Sequence, residues 1–255
     1  MAHTRLRYTM SNTTFQEHKA WDLPIRIFHW VNFTTVICLI FMGLIMLFKK
    51  ELGITGIDAK VALKEVHIII GYVFVLNLVW RIIWGFIGNR YARWSNIFPA
   101  RGFISTVRNY VLSVKRGDAD QYIGHNPMGR LAITFIYLLL LTMAITGLVR
   151  AGTDIYYPPF GSLAAQYVTE TGTDPNSIQP YVAAGTDKDK AASLKVFKKP
   201  FGKVHLYGSY VLMFMIVLHI FFVVRIEIKE GGSLITAMFT GKKILAKKPV
   251  DLDET

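Results

Sequence analysis

Four stretches of this chain are long and apolar enough to cross a bilayer, and they limit the fold more than any other feature. They run from about Ile25 to Phe48, Leu63 to Ile87, Arg130 to Val149 and Lys203 to Val224. A hydrocarbon core ~30 Å thick needs ~20 mostly apolar residues in a helix. Lipid offers no partner for exposed backbone N–H and C=O groups, so each crossing is predicted to be helical. Composition agrees: 52% of the 255 residues are hydrophobic and only 18% are charged, below the ~25% charged of soluble domains. A net charge of +12 would suggest nucleic acid in a soluble protein, but beside four apolar runs it points to a membrane surface instead. No repeat of domain-building length occurs. The expected fold is one all-α integral membrane domain, a four-transmembrane-helix bundle over residues 25–226. A polar tail (1–24), a loop between the third and fourth spans (150–202) and a second tail (227–255) complete it.

The cysteine count removes several chemistries. Cys38 is the single cysteine, so an internal disulfide, a four-cysteine zinc site and an iron–sulfur cluster are excluded. No CxxCH motif is present, which excludes covalently attached haem. The opening "MAHTRLRYTMSNTTFQEHKA" has no apolar core and does not read as a cleaved signal peptide.

Arginine distribution predicts the direction of the spans. With both termini cytoplasmic, residues 1–28, 88–130 and 225–255 face inward and hold ten of the twelve arginines, as the positive-inside rule requires. Arg81 lies near the inner end of the second span, and Arg150 alone falls outside. Within the inner loop, "RGFISTVRNYVLSVKRGD" places Phe103, Ile104, Val107, Tyr110, Val111 and Val114 at helical spacing. That pattern predicts an amphipathic helix, either on the inner membrane surface or packed on the bundle.

The histidines carry the functional signal. His3 and His18 belong to the polar tail and read as solvated. His125 precedes the third span in "GHNPMGR". His29, His67, His205 and His219 lie inside spans, where ionisable groups are costly and functional by default. His205 and His219 are fourteen residues apart: ~21 Å along a helix, on nearly one face. Up-and-down threading puts His29 and His219 near the inner surface and His67 and His205 near the outer one. The resulting pairs, His67 with His205 and His29 with His219, suit the two axial positions of a haem iron. Two b-type haems stacked across the membrane are therefore expected. Zinc would require a third or fourth ligand, and neither pair has an obvious Cys, Asp or Glu beside it. Gly43, fourteen residues after His29, reaches the outer depth and leaves room for a porphyrin edge. Arg81, fourteen after His67, reaches the inner depth and can pair with a propionate. Gly71 and Gly208 lie within a turn of His67 and His205. The bland reading of these glycines is close helix packing.

The segments "RIFHWVN", "VHIIIGYVFVLNLVWRIIWGFIGNRYAR", "YIGHNPMGR" and "VHLYGSYVLMFMIVLHIFFVVRIEI" resemble the membrane cytochrome b subunit of respiratory nickel–iron hydrogenases. Formate dehydrogenase gamma subunits and thiosulfate reductase cytochromes belong to the same wider bacterial cytochrome b561 group. The resemblance covers roughly residues 21–149 and 200–245. It implies a di-haem, quinone-linked electron-transfer subunit of the bacterial inner membrane, with ligands at His29, His67, His205 and His219. It also implies a quinone site by the inner haem, near Asn126 and, less directly, His125; an Asn-Pro helix start is the alternative reading of Asn126. Residues 150–202 do not match the pattern, which leaves the outer partner open between a hydrogenase-like periplasmic dehydrogenase and a cytochrome c. Lys188, Lys190, Lys195, Lys198, Lys199 and Lys203 form either a basic docking patch or a solvated face. Two rival readings are a stand-alone cytochrome b oxidising a small reductant such as superoxide, and a non-redox anchor or transporter. The second has no need of depth-matched histidines.

Overall fold

The computed structural model describes residues 15–230 and 233–252; His3 lies outside them. Four helices are long and apolar enough to cross a membrane: α1 (Leu23–Leu47), α2 (Ile57–Ile87), α5 (Pro127–Ile155) and α7 (Lys188–Glu230). Shorter helices α3 (Trp94–Ile97), α4 (Phe103–Lys115), α6 (Gly161–Val168) and α8 (Leu234–Thr240) connect or cap them. Along the long helices Phe41, Leu76, Phe86, Phe214 and Val217 are each more than three-fifths exposed. Water would not tolerate such apolar flanks, whereas lipid covers them.

Helix ends follow local chemistry. The Asp22 carboxylate caps α1 by accepting from the Ile25 N–H (3.2 Å), and Pro24 follows in the first turn, where a missing N–H costs nothing. The same carboxylate accepts from Trp84 Nε1 (3.0 Å) and the Asn89 N–H (3.3 Å), tying the start of α1 to the end of α2. Asn126 and Pro127 start α5 in the same way.

Packing is pairwise. α1 lies on α2 and α5 on α7, and the pairs join through α2 and α5. A mid-bundle core of Val36, Phe74, Leu78, Leu140, Ala144 and Leu212 holds them together. No extensive close backbone approach of α7 to α1 or α2 occurs among the described residues. Histidines on those helices therefore face one another across space rather than through tight backbone packing.

The residues expected to be polar tails are partly folded. Strand β1 (Gln16–Lys19) pairs antiparallel with β2 (Lys242–Leu245). Ala20, Trp21, Ile25, Ala92, Ile123, Ala237 and Leu245 form a core beneath the pair. The C-terminal segment also fixes the loop before α5. Asp251 accepts from the Ile123 and Gly124 N–H groups (2.7 and 2.8 Å), and Lys243 Nζ donates to the Gly124 carbonyl (2.7 Å). His18, expected to be solvated, sits half-buried in β1 with a buried Nε2. The end of the bundle bearing this cap is called the terminal face below, and the opposite end the loop face.

Two further expectations shift. The fourth helix begins at Lys188 and spans 43 residues, ~65 Å at the usual rise and about twice a hydrocarbon core; much of the expected 150–202 loop is therefore helix. In the inner loop, α4 packs on the bundle through Tyr110 and Ser113, both buried, with Phe103 and Val107 half-buried. Ile104 (85% exposed), Leu112 and Val114 remain uncovered. The helix therefore packs one face on protein and leaves an apolar flank uncovered, the amphipathic pattern expected of it.

Candidate functional site

Two histidine sites occupy opposite depths. Toward the loop face, α2 presents His67 and α7 presents His205, with ring centroids 6.3 Å apart and ring planes at 72°. Two imidazoles bound on opposite sides of one metal ion, at ~2.0–2.1 Å each, place their ring centres roughly 6 Å apart. Thr146 of α5 sets the tautomer of His205. Its hydroxyl donates to the Thr142 carbonyl (2.7 Å), so at 2.9 Å it accepts from His205 Nδ1–H. That leaves His205 Nε2 as a bare lone pair, the form a metal requires.

Space is kept by residues without side chains. A Cβ on Gly147 would come within 3.3 Å of His205 Cε1, and one on Gly43 within 4.0 Å of His67 Cε1. A Cβ on Gly71 would meet nothing within 4 Å, whereas one on Gly208 would meet Met143 Sδ at 3.2 Å, which makes Gly208 a packing position. Among the described residues no group of three or more His, Cys, Asp or Glu could hold a metal. Two imidazoles alone suit a metal whose other ligands come from a macrocycle, and do not suit zinc.

Toward the terminal face, His29 of α1 and His219 of α7 lie within electrostatic reach of each other. His29 Nδ1 is buried without a hydrogen-bond partner among the described residues. Toward the same face Arg81 is 1% exposed, and both it and His219 lie within electrostatic reach of His125. Arg81 Nε donates to Tyr137 Oη (2.8 Å) and its Nη2 to the Ala92 carbonyl (2.9 Å), and the guanidinium lies 4.2 Å from the Trp94 ring centre. Trp94 is held there because Gly85 has no Cβ to overlap its indole. Arg81 Nη1 is buried without a partner, and no carboxylate pairs with this cation among the described residues. Buried charges are normally paired, so the environment suits an anionic group such as a propionate.

His125 lies against Trp21 (ring centroids 4.6 Å apart, planes tilted by 41°), and its Nδ1 is buried with no hydrogen-bond partner among the described residues. Burial first, and then the positive charges of Lys243 and Arg81, lower its pKa to about 3, so the imidazole is neutral at neutral pH. Asn126 Oδ1 accepts from the Gly129 N–H (2.7 Å) and its Nδ2 donates to Tyr110 Oη (2.8 Å). The helix-start reading of Asn126 therefore holds in the geometry. One amide N–H stays available to another partner.

The profile of prokaryotic cytochrome b561 proteins matches residues 20–241. The chain belongs to the prokaryotic cytochrome b561 family. Its similar relatives include the probable Ni/Fe-hydrogenase 1 B-type cytochrome subunit of Escherichia coli K12, 27% identical over 88% of this chain and 89% of that protein. The probable Ni/Fe-hydrogenase B-type cytochrome subunit of Rhizobium leguminosarum bv. viciae is 25% identical over 88% and 87%. That of Azotobacter vinelandii is 23% identical over 87% and 86%. No solved structure matches the chain at a significant level. As a cytochrome b561 protein it is a multi-pass membrane electron carrier that binds haem b.

Sequence reasoning missed several residues of this cytochrome's loop face. Thr146 and Gly147 carry no charge and merge into the third apolar run. Arg150, the one arginine expected on the outer side, forms an ion pair with Asp154, one turn on. Lys198, placed above in either a docking patch or a solvated face, donates to Asp154 (3.0 Å) and the Thr153 carbonyl (3.0 Å). The expected outcome of Thr146→Val is a freed His205 ring and a haem held more weakly. Loss of such a supporting bond typically costs ~10–100-fold in affinity. Haem loss on dilution into apo-myoglobin measures it, and a parental loss rate would remove Thr146 from this role.

Proposed function

We propose that this cytochrome carries electrons across the bacterial inner membrane between a dehydrogenase docked on its loop face and a quinone at its terminal face. The observation that supports this is the arrangement of four span histidines in two pairs at two depths, His67 with His205 and His29 with His219. In this reading each pair ligates one b haem, and the haems supply one-electron chemistry. The protein's own part is to fix the imidazoles, exclude water and place charge. Arg81 holds a propionate of the haem at the terminal face. The names of its relatives make a nickel–iron hydrogenase the preferred partner, with a cytochrome c as the alternative.

Quinone chemistry needs two protons for every two electrons, so the quinone site must meet water. A cleft of about 90 Å³ opens beside His125, lined also by Tyr91, Asn96, Thr106, Tyr122 and Arg130. We place the quinone against His125, whose neutral imidazole can hydrogen-bond a quinone carbonyl, with the second amide N–H of Asn126, the next residue along, as a further donor. Both termini then face the cytoplasm, with the arginine-rich loop.

The test has two parts. Pyridine haemochrome analysis of the purified chain is expected to give two haems b per polypeptide. In a Cys38-free background, a periplasm-specific thiol reagent should label Gln179→Cys and spare Asp118→Cys. One haem per chain, or the reverse labelling, would overturn the reading. For the quinone, Asn126→Asp keeps the helix cap, because Asp caps as well as Asn, and removes the amide donor. Both haems should remain while quinone-linked turnover falls ~10–100-fold, the usual cost of one buried hydrogen bond. Parental turnover would leave Asn126 as a helix cap only.

A further inference from the structure

A layer of charge lies immediately outward of the His67–His205 pair. Asp154, whose side chain is 8% exposed, receives Lys64 Nζ at 2.8 Å, Lys198 Nζ at 3.0 Å and the Arg150 guanidinium. The register of three helices brings these groups to the histidines. Lys64 precedes His67 by three residues on α2, and Arg150 follows Gly147 by three and Thr146 by four on α5, so each stands one turn away on the same face. Gly202 precedes His205 by three on α7 and has no Cβ, which gives the Arg150 guanidinium its place. Arg150 also lies within electrostatic reach of His205.

The charges in this layer do not balance. Three cations converge on one carboxylate, an excess of two positive charges. Glu65, next along α2, has its carboxylate directed to Tyr157 Oη (3.0 Å), and counting it still leaves an excess of one. Such a partly buried cationic excess favours a further anion, and Lys and Arg side chains are suited to carboxylate.

We propose that Lys64, Arg150 and Lys198 bind the propionate carboxylates of the loop-face haem, and that Asp154 sets the positive charge this haem feels. The proposal rests on the reading that His67 and His205 ligate a haem. Positive charge stabilises the reduced form of the haem and raises its midpoint potential, so the two kinds of substitution act with opposite sign. The binding role also predicts faster haem loss when a lysine is removed.

The test is a spectroelectrochemical titration of the full chain, with the loop-face haem identified as the component absent from His205→Ala. Lys198→Met and Lys64→Met should each lower the midpoint of that component, and Asp154→Asn, nearly isosteric, should raise it. Each shift should be a three- to tenfold change in the reduced-to-oxidised ratio at fixed potential, ~30–60 mV for a one-electron couple. The other component should stay in place. Haem transfer to apo-myoglobin should be faster for the loop-face haem in both lysine variants. An unmoved component with parental haem transfer, shifts of equal sign in the lysine and Asp154 variants, or equal movement of both haems would overturn the proposal. If His205→Ala retained both haems, the ligand reading would fall with it, and that result is distinct from an unmoved midpoint.

Discussion

The proposed ligation predicts that His205→Ala leaves one haem b per chain instead of two and that His219→Ala removes the other one. At His205 the change deletes the α7 imidazole and strands the Thr146 hydroxyl that accepts from its Nδ1. His67 alone then has to hold the metal. The α7–α5 contact is spared, because it rests on Leu212 (5% exposed), Ala144 and Leu140. The backbone change is mild, since Ala favours helix over His. General unfolding would remove both haems from either variant, whereas the ligand assignment predicts complementary losses. Pyridine haemochrome content and the low-temperature α-band measure this. Two haems in either variant, or the same surviving band in both, would break the assignment.

Arg81→Leu is expected to be the most damaging substitution outside the histidines. It leaves the Ala92 carbonyl and the Tyr137 hydroxyl without their donor at a site 1% exposed. Each lost partner costs ~1–3 kcal/mol in a buried place, and the stacked Trp94 contact adds ~0.5–2 kcal/mol. The sum, about 2.5–8 kcal/mol, is a large part of the ~5–15 kcal/mol that holds a typical domain together. The expected result is poor recovery in detergent, a lowered melting midpoint by circular dichroism and, on the proposed ligation, loss of the terminal-face haem before the other. Arg81→Lys should restore charge without the planar fork and rescue in part. Parental melting and haem content in Arg81→Leu would show that the guanidinium is dispensable.

The sequence by itself determined the class of molecule and the approximate position of its four spans. Four apolar runs leave no alternative to helices in lipid, because unpaired backbone groups are too costly there. The Asn126–Pro127 start could be read because caps are local chemistry. The pairing of the four span histidines could be reasoned from depth, because a helix rises by a fixed amount per residue and spans alternate in direction.

Tertiary structure alone decided what surrounds those histidines. That Thr146 accepts from His205, that Gly147 makes room beside it, and that Asp154 gathers Lys64, Arg150 and Lys198 depends on how three helices are rotated against one another. Apolar runs with little amphipathic patterning do not encode that rotation. The terminal cap was hidden for a related reason. β1 and β2 lie more than two hundred residues apart in the chain, and each is a short, charged stretch that reads as solvated until its partner is known. The proline-containing run from Lys188 to Lys203 reads as loop from composition, yet it is helical because α5 and α6 pack against it.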